Sequence, residues 1–283
     1  METGGAAQGA GGGRETGLLV YPVHSRRAGG LSVGINLFPD KKHCAFDCPY
    51  CEVFDFQTGA VFSLKQMERD LRMTLADAKE RGVPVKDVCF SGSGEPTLSP
   101  HFAAALDCAG SVRGEIAPEA ALVLITCGSG LLQEDVFSRL REAAAAPLNL
   151  DIWLKLDAAT QDWYEKMNRS SLPLEGLKAK IRELAACAPV TIQTMLCRID
   201  GLPPPPQEEA AWEDFILALP LAAGGAGLRR GLRKVQIYGK ARAAPEDPKA
   251  SSLPVEHLEK RAASLRQRFS RAAVPSPAVE VYP

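Results

Sequence analysis

Past residue 16, short apolar runs alternate with longer stretches in which apolar residues recur every three or four positions. The short runs read as buried strands and the longer stretches as amphipathic helices. Candidate strands are Leu31–Leu37, Val85–Phe90, Ala120–Thr126, Leu148–Leu156, Val190–Leu196 and Lys234–Tyr238. Candidate helices are Ser63–Arg81, Pro100–Ala109, Leu132–Ala146, the pair Gln161–Met167 and Leu174–Ala186, Glu208–Leu219 and Pro254–Phe269. In the first helix Leu64, Met67, Leu71 and Leu75 share one face. The result is about six βα units. Strands separated by helices pair in parallel through right-handed crossovers. The pattern therefore predicts an α/β fold, either an open doubly wound sheet or a partly closed barrel. Both place functional groups at the C-terminal ends of strands.

The first 16 residues, METGGAAQGAGGGRET, have no apolar periodicity and read as a disordered Gly/Ala-rich tail. Residues 17–283 are expected to form one domain. Gly201–Pro206 and Ala222–Gly227 read as surface loops rather than domain boundaries. With 46% hydrophobic residues the chain is globular and not disordered throughout. No run of 18 uncharged apolar residues exists, which excludes a membrane-spanning helix. No secretory signal pattern opens the chain. Arg26–Arg27 resembles a twin-arginine export signal, but Gly29, Gly30, Asp40, Lys41 and Lys42 interrupt the stretch after it. Eight irregularly placed cysteines do not form a disulfide scaffold. A cytoplasmic protein with free or metal-bound thiols is expected.

The informative segment is KHCAFDCPYCEVF, Lys42–Phe54, which carries Cys44, Cys48 and Cys51 spaced C-x3-C-x2-C directly after the first candidate strand. Three thiolates this close converge when a compact loop wraps an inorganic group. A structural zinc or a fully ligated cubane takes four protein ligands. Three cysteines on a four-iron cluster leave one iron open to a small molecule. The alternative is zinc, with His43 or a distant cysteine as fourth ligand; His43 adjoins Cys44, which is poor geometry for one ion. The remaining cysteines, 89, 108, 127, 187 and 197, are scattered singly, so a second cluster is not expected.

The triad, with Tyr50 as the aromatic residue before its third cysteine, resembles the signature of the radical S-adenosylmethionine (SAM) superfamily. HSRRAGGLSVGINLFP, ahead of the loop, looks like the subfamily related to the radical SAM wyosine-tRNA synthetases. The resemblance covers roughly residues 21–269. It implies a partial (β/α)6 radical SAM barrel with parallel strands, and a [4Fe–4S] cluster on Cys44, Cys48 and Cys51 with SAM on its open iron. It also implies reductive cleavage of SAM to a 5′-deoxyadenosyl radical that abstracts hydrogen from substrate. FSGSGEPT at the end of the second strand resembles the motif that receives the SAM amino group, with Ser93, Gly94 and Glu95 in its three positions. Independently, glycine permits close approach and a carboxylate suits an ammonium; the plainer reading of Glu95 is a helix-end residue.

At later strand ends the resemblance is softer. Lys155 and Asp157, two apart, share a face; they suit the SAM carboxylate and a ribose hydroxyl, or pair with each other in the interior. Gln193, with Thr191 beside it, and Gln236 with Tyr238 are expected near the adenosine or the substrate. Asn168–Arg169 resembles a family pair, with a surface salt bridge as the alternative. TCGS at Thr126–Ser129 departs from the usual Thr-Asn-Gly, and Cys127 there reads as a small packed residue or a thiol facing substrate.

The formal net charge of −1 conceals an asymmetry: Arg229–Arg271 holds 12 Lys/Arg against four Asp/Glu. This basic stretch is either a polyanion footprint or a solvated helix face. RNA modification is the first guess for the substrate. A protein-modifying or glycyl-radical-activating enzyme is the second enzymatic reading, and a non-catalytic iron–sulfur or zinc protein the rival outside catalysis. A flavodoxin or ferredoxin is the expected reductant.

Overall fold

The computed structural model describes residues 17–221, 230–242, 244, 247–272 and 276–283. The expected disordered tail, the Ala222–Gly227 loop and Arg229 lie outside the described residues.

In chain order the elements are β1 (Val20–Ser25), β2 (Gly30–Ile35), α1 (Leu64–Glu80), β3 (Val85–Phe90), α2 (Phe102–Ile116), β4 (Ala121–Thr126), α3 (Glu134–Ala143), β5 (Asp151–Lys155), α4 (Gln161–Met167), α5 (Leu174–Cys187), β6 (Pro189–Ile199), α6 (Pro206–Leu217), β7 (Gly231–Gly239), β8 (Ala250–Ser252), α7 (Val255–Arg271) and β9 (Ala278–Tyr282). Short 3-10 turns at Pro96–Leu98 and Ser129–Leu132 follow β3 and β4.

The strands lie side by side in the order β1-β2-β3-β4-β5-β6-β7-β9. From β2 onward every pair along that order is parallel. Spatial order following chain order decides between the two predicted architectures. A doubly wound sheet reverses its strand order at a switch point; this one never does. Crossovers of one hand laid in one direction put the helices on one face, and the sheet curls into a partial barrel.

The two faces of the sheet differ accordingly. Val88, Phe90, Leu122, Leu124, Ile152, Leu154, Val190 and Ile192 are buried in one large core with helix residues such as Met67, Leu71, Leu106, Ile181 and Leu265. The intervening positions form the inner wall. There Cys89, Val123 and Trp153 pack with Ile125 as a separate small cluster, next to Asp87, Lys155, Thr191 and Gln193.

The helices follow the apolar spacing. In α1, Met67, Leu71, Leu75 and Ala78 are buried, and the Ser63 hydroxyl accepts from the Gln66 amide at its start. The expected helix at Pro100–Ala109 begins two residues later and continues to Ile116. Three strands carry no clear signal in the apolar pattern. β1 contains Pro22 and pairs antiparallel with β2 at the sheet edge, where a missing N–H is tolerated. β8 has three residues and pairs antiparallel with β6. β9 adds a further parallel strand beyond β7. Among the described residues no helix is long and apolar enough to cross a membrane.

Helix α7 seats β7 and β9 through Leu258, Ala262, Leu265 and Phe269, all buried. Replacing Phe269, which has no exposed surface, with Ala is expected to cost about 3–5 kcal/mol. Urea unfolding followed by circular dichroism measures the difference.

Candidate active site

The 28-residue connection from β2 to α1 carries the three cysteines, and the backbone closes it at its neck. Thr58 donates its amide to the Asp40 carbonyl at 2.7 Å and its hydroxyl to the Pro39 carbonyl at 2.8 Å. Deeper in the loop, His43 lies alongside Gly94. The His43 amide donates to the Ser93 carbonyl at 3.0 Å, and the Glu95 amide to the His43 carbonyl at 2.8 Å. A Cβ on Gly94 would fall 2.0 Å from the His43 oxygen. Glycine at this position is therefore required by the contact between the two motifs themselves. Two further bonds hold the loop: the Asp47 amide to the Asn168 carbonyl and the Ser170 hydroxyl to the Ala45 carbonyl, each at 3.0 Å.

Cys44, Cys48 and Cys51 line one cavity of about 600 Å³, together with Tyr50, Gly94, Glu95, Thr126, Cys127 and Lys155. It sits at the C-terminal ends of β3, β4 and β5. The sequence motifs thus meet in one place.

Glu95 is buried and its carboxylate has several donors. Oε1 accepts from the Thr97 hydroxyl at 2.6 Å, the Thr126 hydroxyl at 2.7 Å and the Thr97 amide at 3.2 Å. Oε2 accepts from the Cys127 amide at 2.6 Å. The helix-end contact expected of a plain turn residue is present. Each carboxylate oxygen offers about two lone pairs, so Oε2 retains an acceptor position beside the cavity.

Behind the cavity Lys155 and Asp157 form a buried ion pair at 3.2 Å. Asp157 also accepts from the Met195 amide at 2.8 Å, from Asn168 Nδ2 at 3.2 Å and from the Tyr50 hydroxyl. Asn168 Nδ2 lies 3.5 Å from the Cys48 sulfur. Lys155 donates to the Tyr238 hydroxyl, and its ammonium lies 4.8 Å from the Tyr50 ring centroid. Lys155 lines the cavity; Asp157 does not. Its acceptors are taken up by the groups that hold the cysteine loop.

The remaining expected residues fall elsewhere. Gln193 is wholly buried between strands and donates to Gln236 at 2.7 Å. Gln236 in turn donates to Glu280 at 3.1 Å. Gln193 therefore belongs to a row of polar side chains across β6, β7 and β9, away from the cavity lining. Tyr238 lines a neighbouring cavity. Arg169 pairs with Asp47 and Asp247, so this residue takes the salt-bridge role.

Cys127, expected as a small packed residue or a thiol facing substrate, is buried and also lines the cavity with the triad. Its side chain lies 3.3 Å from Ser129 Oγ, and both Cys127 and Cys44 are free thiols on the wall of the same cavity. Only tertiary folding unites residues 44 and 127, though the position of Cys127 at a strand end one βα unit after Glu95 was the available signal. The thiols differ in acidity. The Cys127 contact holds Cys44 below the ordinary thiol range, whereas burial pushes Cys48 up to about 12 and Cys127 well above the ordinary value.

A family model, that of the radical SAM superfamily, matches residues 41–196. A Helicobacter pylori (strain ATCC 700392 / 26695) protein named UPF0026 protein is 31% identical over 140 residues, which is 47% of this chain and 42% of that protein. The chain is thus matched over less than half of that relative's length. Among solved structures, SuiB of Streptococcus suis bound to S-adenosylmethionine superposes with a TM-score of 0.61 at 12% identity, covering 85% of this chain and 48% of SuiB. TYW1 with a lysine-pyruvate adduct bound gives 0.54 at 14%, covering 83% of this chain and 73% of TYW1.

Two outcomes are expected in the metal-free protein. Cys44 should be alkylated by iodoacetamide at lower pH than Cys48. Cys127→Ala removes the contact that favours the Cys44 thiolate, so the rate–pH profile of Cys44 should move to higher pH; peptide mass spectrometry reads both. Gly94→Ala forces His43 away from Glu95, and amide hydrogen exchange across residues 42–51 should rise at least tenfold with the sheet still protected.

Proposed function

This chain belongs to the radical SAM superfamily, and we propose that it is an enzyme that reductively cleaves SAM in the cavity beside Cys44, Cys48 and Cys51. The carrying observation is that the cysteine loop, Gly94, Glu95 and Lys155 line one space. In this reading the three thiols hold a [4Fe–4S] cluster, the Oε2 side of Glu95 faces the SAM amino group and Lys155 its carboxylate. Bound together, the cluster and SAM supply one-electron cleavage to a 5′-deoxyadenosyl radical for hydrogen abstraction.

The residues present fit that pair. Three soft donors come from one loop, and the groups facing them offer one anion for an ammonium and one cation for a carboxylate. Burial drives Cys48 toward its neutral thiol, and a positively charged iron centre reverses that preference. Asp157 and Asn168 position Tyr50 and Cys48 without facing the cavity, and Gln193 sets the spacing of the inner strands. Tyr238 is assigned to the substrate side.

Zinc is the rival occupant of the cavity. A structural zinc takes four ligands about one point, and Cys127 lines the cavity with the triad, so the metal content of the purified protein separates the two readings. His43 packs its ring 5.0 Å from that of Phe38. The basic stretch also changes character. Arg233, Lys234 and Arg242 pair with Asp151, Glu280 and Glu52. Arg261 pairs with Glu209 and Glu213, and Arg268 with Glu213 and Asp214. Much of the positive excess is answered within the chain, which weakens α7 as an RNA footprint and leaves the substrate to the cavities. A flavodoxin or ferredoxin remains the proposed electron donor.

Anaerobic reconstitution should load about four irons and four sulfides per chain, and addition of SAM with dithionite should yield 5′-deoxyadenosine. Cys48→Ala should do neither. Glu95→Gln keeps an acceptor for Thr97 and Thr126 but removes the charge and the acceptor of the Cys127 amide; SAM affinity should fall about ten- to a hundredfold with the visible spectrum of the cluster retained. Purified protein that holds one zinc and refuses iron would sink the proposal.

A further inference from the structure

A second, larger cavity of about 970 Å³ opens along the inner wall of the sheet. Ile125 lines both it and the cysteine cavity. The two spaces are bridged again by the bond from Lys155, on the wall of one, to Tyr238, on the wall of the other. A molecule here would lie one side chain away from SAM.

The β1–β2 turn brings two arginines to this space. Arg26 donates to the main-chain oxygen of Pro283 at 2.5 Å, and the Arg27 guanidinium lies 4.8 Å from the Tyr238 ring centroid. Two acidic residues share the lining. Glu52 is engaged by Arg242 at 2.8 Å. Asp87 is buried, bonded by the Ser32 hydroxyl, and burial pushes its carboxyl up toward the neutral form. Among the described residues Arg27 has no carboxylate within ion-pair distance.

A second observation is independent of charge. Trp153 lines the same cavity and is 7% exposed, and its indole N–H has no hydrogen-bond partner among the described residues. Buried donors in native proteins nearly always find an acceptor.

We infer that this cavity binds an oxyanion of the substrate, a carboxylate or a phosphate, with Arg27 as the principal contact and the Trp153 indole as part of its wall. The inference rests on the reading that the neighbouring cavity holds SAM. The planar guanidinium presents paired donors that match two oxygens of either group. Contact with the face of the Tyr238 ring holds the guanidinium at the cavity. The hydrophobic surface of Ile125, Met195 and Trp153 suits an uncharged remainder of the ligand.

Sodium pyrophosphate and sodium succinate, titrated separately into the full-length cluster-free protein and followed by calorimetry and tryptophan fluorescence, test the site without any turnover. At least one anion should bind saturably. Arg27→Met should weaken it tenfold or more, Arg27→Lys less, and Trp153→Phe about threefold. Pyrophosphate alone binding identifies a phosphate, succinate alone a carboxylate. The inference is overturned if neither anion saturates, or if binding survives both Arg27→Met and Trp153→Phe. Thermal melting accompanies each variant; should Arg27→Met not fold, Arg27→Lys and Trp153→Phe decide. Formation of 5′-deoxyadenosine without any anion binding overturns this inference alone, whereas anion binding without it overturns the SAM reading alone.

Discussion

A buried carboxylate has to be satisfied where it sits, and Asp157 is the point on which this site depends. Leaving such a charge without its partners costs about 3–5 kcal/mol. Here the partners come from four parts of the chain: Lys155 on β5, the Met195 amide on β6, Asn168 after α4, and Tyr50 in the cysteine loop. Satisfying Asp157 therefore fixes the cysteine loop against the sheet. Asn168 carries the link to the Cys48 sulfur, and Lys155 carries it to Tyr238. This ion pair joins the cysteine side of the site to the neighbouring cavity.

The opposite flank of the loop is held by shape. The His43 carbonyl comes so close to residue 94 that only hydrogen fits between them. Glu95, next in the chain, gathers Thr97, Thr126 and Cys127 and so binds the ends of β3 and β4 together. The loop is thus clamped by a close backbone contact on one side and a satisfied charge on the other. Both clamps form at strand C-terminal ends. Sheet topology creates the room between them: strands laid in chain order with helices on one face leave the inner face open, and polar residues occupy it. The two cavities are neighbouring parts of that inner face.

Much of the site was legible because its pieces are local. C-x3-C-x2-C with Tyr50, and Ser93–Gly94–Glu95 after a strand, each lie within a few residues. The two-residue period that placed Lys155 and Asp157 on one face holds even though β5 ends at Lys155. Distance along the chain limited the rest. Cys127 meets Cys44 across 83 residues, and Arg27 meets Tyr238 across more than two hundred. A strand pattern shows that Gln193 and Tyr238 share the inner face, but not that one is sealed between strands while the other borders a cavity.

The amino-acid pattern by itself determined the six βα units, their parallel pairing, the helix faces and the three thiols of one loop. These depend on side-chain period and short-range spacing, which are properties of neighbouring residues. Tertiary structure alone decided that the sheet winds one way into a partial barrel, that an antiparallel strand with an internal proline closes one edge and β9 the other, and that a fourth thiol stands beside the first. It also decided that Arg26 and Arg27, read in the sequence as part of the HSRR stretch, border a second cavity. Those outcomes depend on which distant surfaces cover one another, and burial, charge pairing and close contact are settled only when the strands are assembled.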